Sequence, residues 1–336
     1  MSEQMSQGNP QGAGPGNVFV AQRRFMVMGV GLCVMVAVWI GLNILISGAV
    51  APYFPHGAPS WVLMLLSSGP LYLVAMPLAS TVFARVPRLE TRRFALGARE
   101  FLALLVACFP IMMVGNMIGT GLSSLISGGQ STNRVTELVL HSSPWVNALF
   151  VVVLAPILEE WVFRKQLIDR TRRYGERVSI LLSAFAFALF HMNLYQFFYA
   201  FGLGLVFAYA YMRSGRLRYP IAMHMVINAC GSVLAPAVLS LAGDSAGALV
   251  GGSMSDAELA RMAATDPAFL LIGLYSLAMM ALSIAGFVAI VRHARDLEFY
   301  TAPEELPVWT GARVALLNPG MVVYVLLTVV LSVWAG

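Results

Sequence analysis

Long apolar segments separated by short polar stretches run along almost the whole chain. These segments lie at about 25–50, 60–84, 101–126, 145–163, 178–212, 219–241, 267–291 and 316–335. A helix crosses the ~30 Å hydrocarbon core of a bilayer with about 20 residues, and most of the segments have that length. The pattern therefore predicts an all-α fold, a polytopic transmembrane helical bundle of about eight or nine helices.

The segment 178–212 is too long for one membrane-spanning helix. Polar residues interrupt it at His191–Gln196, so we predict a tight helical hairpin. Each arm would have about 15 to 17 residues, near or below the spanning minimum. Counting both arms gives nine spans, with a turn that can lie inside the membrane where protein or water covers its backbone.

The composition excludes several classes of protein. Hydrophobic residues make up 59% of the 336 residues and charged residues 11%, whereas about a quarter of an average soluble domain is charged. A disordered protein, a disulfide scaffold and an ordinary soluble enzyme are thereby excluded. Residues 1–22 are rich in Gly, Gln, Pro and Ser, which predicts a disordered cytoplasmic tail before a single transmembrane domain at 23–336.

Basic residues are concentrated in alternate loops. Arginine clusters precede the first span and follow the second, fourth, sixth and eighth, whereas the other loops hold only Arg134 and Arg261. The positive-inside rule then predicts a multi-pass protein of the cell (plasma) membrane with a cytoplasmic N-terminus. Short clusters beside helix ends are typical of topology anchors, so the expected surroundings are the lipid bilayer and no nucleic-acid partner is expected.

Two adjacent glutamates are the only charged side chains inside the predicted spans. Glu159 and Glu160 stand near the cytoplasmic end of the fourth span, where snorkelling is the structural alternative to a functional site. Glu160 and Arg164 are four residues apart, so they share a helix face and can form an ion pair. Glu159 points about 100° away and has no basic residue three or four positions later. We therefore expect Glu159 to face the bundle as a general base.

Two histidines and an asparagine also lie in apolar segments. His191, His224 and Asn228 each have a structural alternative, because a core His or Asn often makes an interhelical hydrogen bond. Together with Glu159 they suggest peptide-bond hydrolysis inside the bundle. Glu159 would take a proton from the attacking water, and His224 and Asn228 would donate hydrogen bonds to the oxyanion. His191 would orient the water or hold a metal with His224.

Other intramembrane protease chemistries lack their residues. No Gly-x-Ser-x-Gly elbow and no Asp occurs in a predicted span, and His-Glu-x-x-His is absent from the chain. A serine nucleophile, a paired-aspartate site and the usual helical zinc motif are therefore not expected.

Three short motifs resemble the signatures of a known family. In order along the chain they are Glu-Glu-x-x-x-Arg (Glu159, Glu160, Arg164), Phe-x-x-x-His (Phe187, His191) and His-x-x-x-Asn (His224, Asn228). This set is similar to that of the CAAX-protease and bacteriocin-processing family, intramembrane endopeptidases often grouped with Abi proteins. The resemblance covers about 145–232, which it implies to be the catalytic core.

The resemblance implies an active intramembrane CAAX-type endopeptidase that acts on a peptide or a membrane protein. In a cavity open to the cytoplasm, Glu159 would activate water, assisted by His191, His224 and Asn228. Glu160, Arg164 and Phe187 would be supporting residues. A metalloprotease with zinc on His191, His224 and Glu159 and a metal-free mechanism are equally compatible with the motifs.

Two other functions remain open from the sequence. One is a non-proteolytic membrane scaffold or immunity protein of the same fold, because a motif does not demonstrate turnover. The other is a proton-coupled transporter with a buried Glu and His relay. The transporter is disfavoured because the two halves of the chain show no convincing internal repeat.

Overall fold

The computed structural model describes residues 15–130, 133–242, 255–265 and 267–335, and every regular element in those ranges is helical. The helices are α1 (Pro15–Val50), α2 (Ser60–Phe83), α3 (Ala98–Ser127), α4 (Arg134–His141), α5 (Pro144–Tyr174), α6 (Glu176–Phe190), α7 (Leu194–Ser214), α8 (Arg218–Leu241), α9 (Asp256–Thr265), α10 (Pro267–His293), α11 (Val308–Leu316) and α12 (Pro319–Ala335). The predicted all-α polytopic bundle is confirmed.

The number of spans is slightly smaller than the nine predicted. Within the described part of the chain, 7 helices are long and apolar enough to cross a membrane, and the bent pair of α11 and α12 raises the number to 8. The missing span is α6, whose 15 residues reach only about 22 Å. The last apolar segment also differs, because its helix is joined to α11 at an angle of 58°.

The predicted hairpin is present as α6 and α7. Its turn occupies residues 191–193, and Met192 has a φ of 45°, in the left-handed region that non-glycine residues rarely adopt. The side chain of Asn193 accepts a hydrogen bond from the N–H of Tyr195 and so caps the start of α7. Because the cap and the strained residue end one helix and begin the next, His191 is held at the turn.

The boundary of the N-terminal tail needs correction. Helix α1 begins at Pro15 rather than at residue 23, and Ala21 is fully buried. The cause is visible in the sequence, since Val18, Phe19 and Val20 extend the apolar segment of α1 towards the N-terminus. Residues 1–14 of the predicted tail lie outside the described residues.

Helix α3 approaches α7 closely through two glycines. A Cβ atom on Gly115 would lie 2.5 Å from the backbone of Tyr199, and one on Gly119 would lie 2.7 Å from the carbonyl oxygen of Tyr195. Small residues at four-residue spacing allow membrane helices to pack this tightly. The contact fixes the position of α7, which carries an aromatic residue of the site described below.

The arginine-rich loops meet one another. The loop before α3 is bonded to the ends of α5 and α7, through Leu89 N–H to Asp169 O and Phe94 N–H to Ser214 O. The loop before α11 joins the end of α5 through the Arg173–Glu304 ion pair at 3.0 Å. The basic clusters that the sequence placed in alternate loops are therefore collected in one region of the fold.

Candidate active site

Helix α5 changes its hydrogen-bond register on both sides of the glutamate pair. Wide π-helical turns occupy Ala148–Leu154 and Trp161–Gln166, and a short α-helical segment between them contains Glu159 and Glu160. Pro156 lies in that segment and contributes no N–H to the helix. The π-turns are relevant to function because such local widenings of a helix are frequent at functional sites.

Glu160 forms the predicted ion pair with Arg164. The guanidinium donates two hydrogen bonds to the carboxylate, at 2.8 and 3.2 Å, and both side chains are completely buried. Arg164 also donates to the hydroxyl of Ser183 at 3.0 Å and lies 4.6 Å from the centre of the Phe187 ring. Glu160 is therefore neutralised locally, as expected from its spacing to Arg164.

His224 connects the two glutamates. Its Nδ1 lies 3.0 Å from Oε1 of Glu160, and its Nε2 lies 3.9 Å from Oε2 of Glu159. The Glu160 carboxylate paired with Arg164 only accepts hydrogen bonds, so Nδ1 must carry the proton and donate it. This fixes the tautomer and leaves Nε2 directed towards Glu159.

Glu159 has a different environment from its neighbour. Its carboxylate is buried but forms no ion pair with an Arg or Lys in the part of the chain that the structure describes, and Nε2 of His224 lies 3.9 Å from it. Glu159 is thus a buried carboxylate beside His224 of α8.

Two aromatic rings, those of Phe187 and Phe207, pack against the histidines. Phe187 contacts both His191 and His224 edge-on, with ring centres 4.8 and 5.7 Å apart, while Phe207 stacks on His224 at 5.2 Å. The sequence motifs predicted Phe187 but missed Phe207. An aromatic residue within an apolar segment carries no local signal that distinguishes it from lipid-facing or core residues.

His191 and Asn228 make their side-chain bonds to backbone carbonyls. Nδ1 of His191 lies 2.8 Å from the Phe187 carbonyl oxygen, so with a proton on Nδ1 its Nε2 is free to accept. Nδ2 of Asn228 donates to the carbonyl of Val151 at 2.9 Å. Of the predicted catalytic residues, His224 therefore faces both glutamates with its side chain. His191 is connected to His224 through the Phe187 ring, and Asn228 contacts the backbone of α5.

The predicted zinc ligands do not form a metal site. Among the described residues no three His, Cys, Asp or Glu side chains are grouped so that they could hold a metal ion. The set of His191, His224 and Glu159 does not fit zinc in this arrangement, and the metalloendopeptidase assignment is not supported.

Two cavities lie elsewhere in the fold. One, of about 260 Å³, is apolar and lies between the hairpin turn and α12, beside Met192 and Val329. The other, of about 510 Å³, lies among the arginine-rich loops and is lined by Arg92, Arg172 and Arg213. Glu159 lines neither, so a water-filled cavity around it that opens to the cytoplasm stays a prediction.

Comparisons with known proteins agree with the motifs. Residues 141–230 match the Rce1-like family model, which is described as type II CAAX prenyl endopeptidase Rce1-like. The chain is 30% identical over 129 residues to the membrane-embedded CAAX protease MroQ of Staphylococcus aureus (strain USA300), across 36% of this chain and 52% of that protein. The chain thus spans about half the length of this curated relative. No solved structure matches it.

The matched segment contains all the motif residues. Glu159, His191, His224 and Asn228 fall between residues 141 and 230. The resemblance to the CAAX-protease and bacteriocin-processing family is therefore confirmed, and the chain is similar to intramembrane proteases. Its apolar helices agree with a multi-pass membrane protein.

Proposed function

We propose that this chain is an intramembrane CAAX-type endopeptidase that hydrolyses a peptide bond with a water activated by Glu159. The observation that supports the proposal is that two adjacent buried glutamates have different partners. Glu160 forms an ion pair with Arg164. Glu159 instead lies opposite Nε2 of His224, an imidazole whose tautomer is fixed. Two glutamates with a purely structural role would not require such different partners.

The geometry supports a short proton route. Glu159 removes a proton from water as the water oxygen attacks the peptide carbonyl, and the resulting carboxyl passes a proton to Nε2 of His224. The imidazolium that forms is stabilised by Glu160, since that carboxylate already holds Nδ1–H at 3.0 Å. His224 then donates to the oxyanion and protonates the leaving amine, so that the C–N bond breaks and a carboxylic acid and an amine are released.

The other predicted residues assist this step. His191 carries its proton towards the Phe187 carbonyl, which leaves Nε2 as an acceptor that can orient the attacking water. Phe187 and Phe207 hold the His224 ring from two sides. Asn228 assists through its bond to the Val151 carbonyl of α5.

Candidate substrates are peptides or membrane proteins. The matching family is described as a CAAX prenyl endopeptidase, so a prenylated peptide ending in a CAAX sequence is one substrate class to test. Peptide segments without a prenyl group form the second class. A substrate embedded in the bilayer would reach Glu159 laterally between helices, whereas water would enter through a cavity open to the cytoplasm.

We place the N-terminus and the arginine-rich loops on the cytoplasmic side of the cell membrane. These loops contact one another and the start of α1, where Arg24 donates to Tyr174 at 2.7 Å. Cysteine substitution of two exposed positions tests this orientation. A membrane-impermeant thiol reagent should label His56→Cys in intact cells and leave Glu90→Cys unlabelled, and the reverse pattern would contradict it.

The activity is tested by comparing peptide fragments in membranes. Cells producing the wild-type chain, Glu159→Gln or the exposed control Glu137→Gln are compared by mass spectrometry of membrane peptides. New cleavage products should appear with the wild type and the control and disappear with Glu159→Gln. If Glu159→Gln retains the products or the full cellular effect, hydrolysis by Glu159 is refuted and the scaffold function is favoured.

A further inference from the structure

One backbone carbonyl of α5 has lost both of its helical partners. In the π-turn before the glutamates, the N–H of Ala155 donates to Phe150 O instead of Val151 O. The next N–H in this wider register would come from residue 156, which is proline and has none. Val151 O is therefore left without a donor from its own helix, inside a segment that crosses the membrane.

Asn228 supplies the missing donor from another helix. Its Nδ2 lies 2.9 Å from Val151 O. Proline is tolerated in membrane helices because side chains of neighbouring helices can satisfy the carbonyls that it frees. Asn228 follows His224 by one helical turn on α8, so this bond fixes α8 to α5 close to the contacts of His224 with Glu159 and Glu160.

A side chain of a neighbouring helix also bonds a carbonyl in the second π-turn of α5. The N–H of Leu167 donates to Arg164 O and Val162 O, and the hydroxyl of Ser183 donates to the bypassed carbonyl of Phe163 at 2.7 Å. With its hydrogen directed to that carbonyl, Ser183 presents a lone pair to the Arg164 guanidinium at 3.0 Å. Each π-turn that flanks the glutamate pair thus has a carbonyl bonded by a side chain of a neighbouring helix.

We propose that Asn228 is a positioning residue whose amide replaces the N–H that Pro156 lacks and so holds His224 against the glutamate pair. The catalytic consequence rests on the proposed function, whereas the structural role does not. The proposal differs from an oxyanion donor, the role expected from the sequence, because it assigns the catalytic effect of Asn228 to the observed bond with Val151 O rather than to a bond with the substrate. It predicts that Asn228 and Pro156 are energetically coupled.

The test is a double-mutant cycle on the full chain in detergent micelles or nanodiscs. Asn228→Ala removes the hydrogen-bond donor of the Val151 carbonyl, and Pro156→Ala provides a backbone N–H for that carbonyl. The control is Asn147→Ala, since the buried amide of Asn147 on α5 donates at 2.9 Å to Ser232 O of α8 and at 2.9 Å to Val139 O of α4. This control removes a bond between the same two helices, together with one to α4, and leaves Val151 untouched.

The coupling between Asn228 and Pro156 should be visible in the melting temperatures of the variants. Asn228→Ala is expected to lower the melting temperature by about 2 °C or more, and Pro156→Ala should restore at least about half of that loss. The loss caused by Asn147→Ala should be the same with Pro or Ala at position 156. An equal loss from Asn228→Ala in both backgrounds would overturn the inference.

A spectroscopic signature tests the same bond without a second substitution. Solid-state NMR with ¹³C on valine carbonyls and ¹⁵N on valine nitrogens selects Val–Val pairs, among them Val151–Val152. The Val151 carbonyl resonance should move in Asn228→Ala and stay in place in Asn147→Ala. An unmoved Val151 resonance in Asn228→Ala overturns the proposal even if the double variant does not fold.

Kinetics separate this proposal from the proposed function. If Asn228 acts through Val151, kcat should fall about tenfold in Asn228→Ala with KM little changed, and recover at least about threefold in the double variant. A loss of kcat that is identical in both backgrounds identifies a direct oxyanion donor and overturns the positioning role. Coupling in stability and in the NMR signal with a wild-type chain that cleaves nothing would refute the proposed function and leave the bond to Val151 established.

Discussion

Replacement of Arg164 by methionine is expected to destabilise the fold strongly. Both side chains of the Glu160–Arg164 pair are 0% exposed, and the variant leaves the Glu160 carboxylate buried, with His224 as its remaining side-chain partner among the described residues. Methionine keeps most of the apolar stem, so the loss is mainly electrostatic. Removing one partner of a buried ion pair typically costs about 3–5 kcal/mol.

The corresponding fall in melting temperature is about 6 °C or more, at about 2 °C per kcal/mol for a large chain. A thiol-reactive fluorophore can follow unfolding of the full chain in detergent, because all its cysteines are free and Cys108 and Cys230 are buried. The matched control is Lys165→Met. Lys165 forms an i,i+4 pair with Asp169 on the same helix, but at 3.8 Å and with 29% of its side chain exposed. Its loss should cost less than about 1 kcal/mol.

A second substitution distinguishes charge from packing. Glu160→Gln in the Arg164→Met background removes the uncompensated carboxylate, so it should recover a large part of the lost stability. Two results would refute the reasoning. One is a loss in Arg164→Met no greater than that in Lys165→Met. The other is a double variant as unstable as Arg164→Met, which would show that the guanidinium stabilises by its contacts with Phe187 and Ser183 alone.

Two further substitutions test the packing around the site. Gly115→Ala should destabilise by about 1–3 kcal/mol because its Cβ would meet the Tyr199 backbone at 2.5 Å, whereas Gly121→Ala, with nothing within 4 Å, should be neutral or slightly stabilising in the same thermal assay. Equal effects would contradict the close approach of α3 and α7. Phe207→Leu should cost about 1 kcal/mol and shift the ¹⁵N resonances of His224, since the ring stacks on that imidazole at 5.2 Å. Unchanged resonances would contradict its positioning role.

The parts of the site that sequence could predict are local in the chain. The Glu160–Arg164 pair follows from four-residue spacing on one helix, and the different face of Glu159 follows from the next helical step. The hairpin followed from a polar interruption in an overlong apolar segment. Each inference needed only the geometry of a single helix or of two neighbouring ones.

The remaining features depend on contacts between distant segments. Pro156 indicates a missing backbone donor in α5, but the donors that bond the Phe163 and Val151 carbonyls come from α6 and α8, namely Ser183 and Asn228. Phe207 reaches His224 through the packing of α7 against α8, which apolar periodicity does not encode. The tail was predicted too long because Gly, Gln and Pro outweighed the short apolar stretch 18–21 in the composition.

The central claim is that Glu159 activates water for peptide hydrolysis, and one measurement addresses it directly. The purified chain in liposomes is given a peptide substrate in ¹⁸O-water, and product masses are recorded for the wild type and Glu159→Gln. The wild type should release a product whose new carboxyl group carries ¹⁸O, and Glu159→Gln should lower kcat at least about 100-fold while its melting temperature stays near the wild-type value. A folded Glu159→Gln variant that cleaves at the wild-type rate would contradict the account.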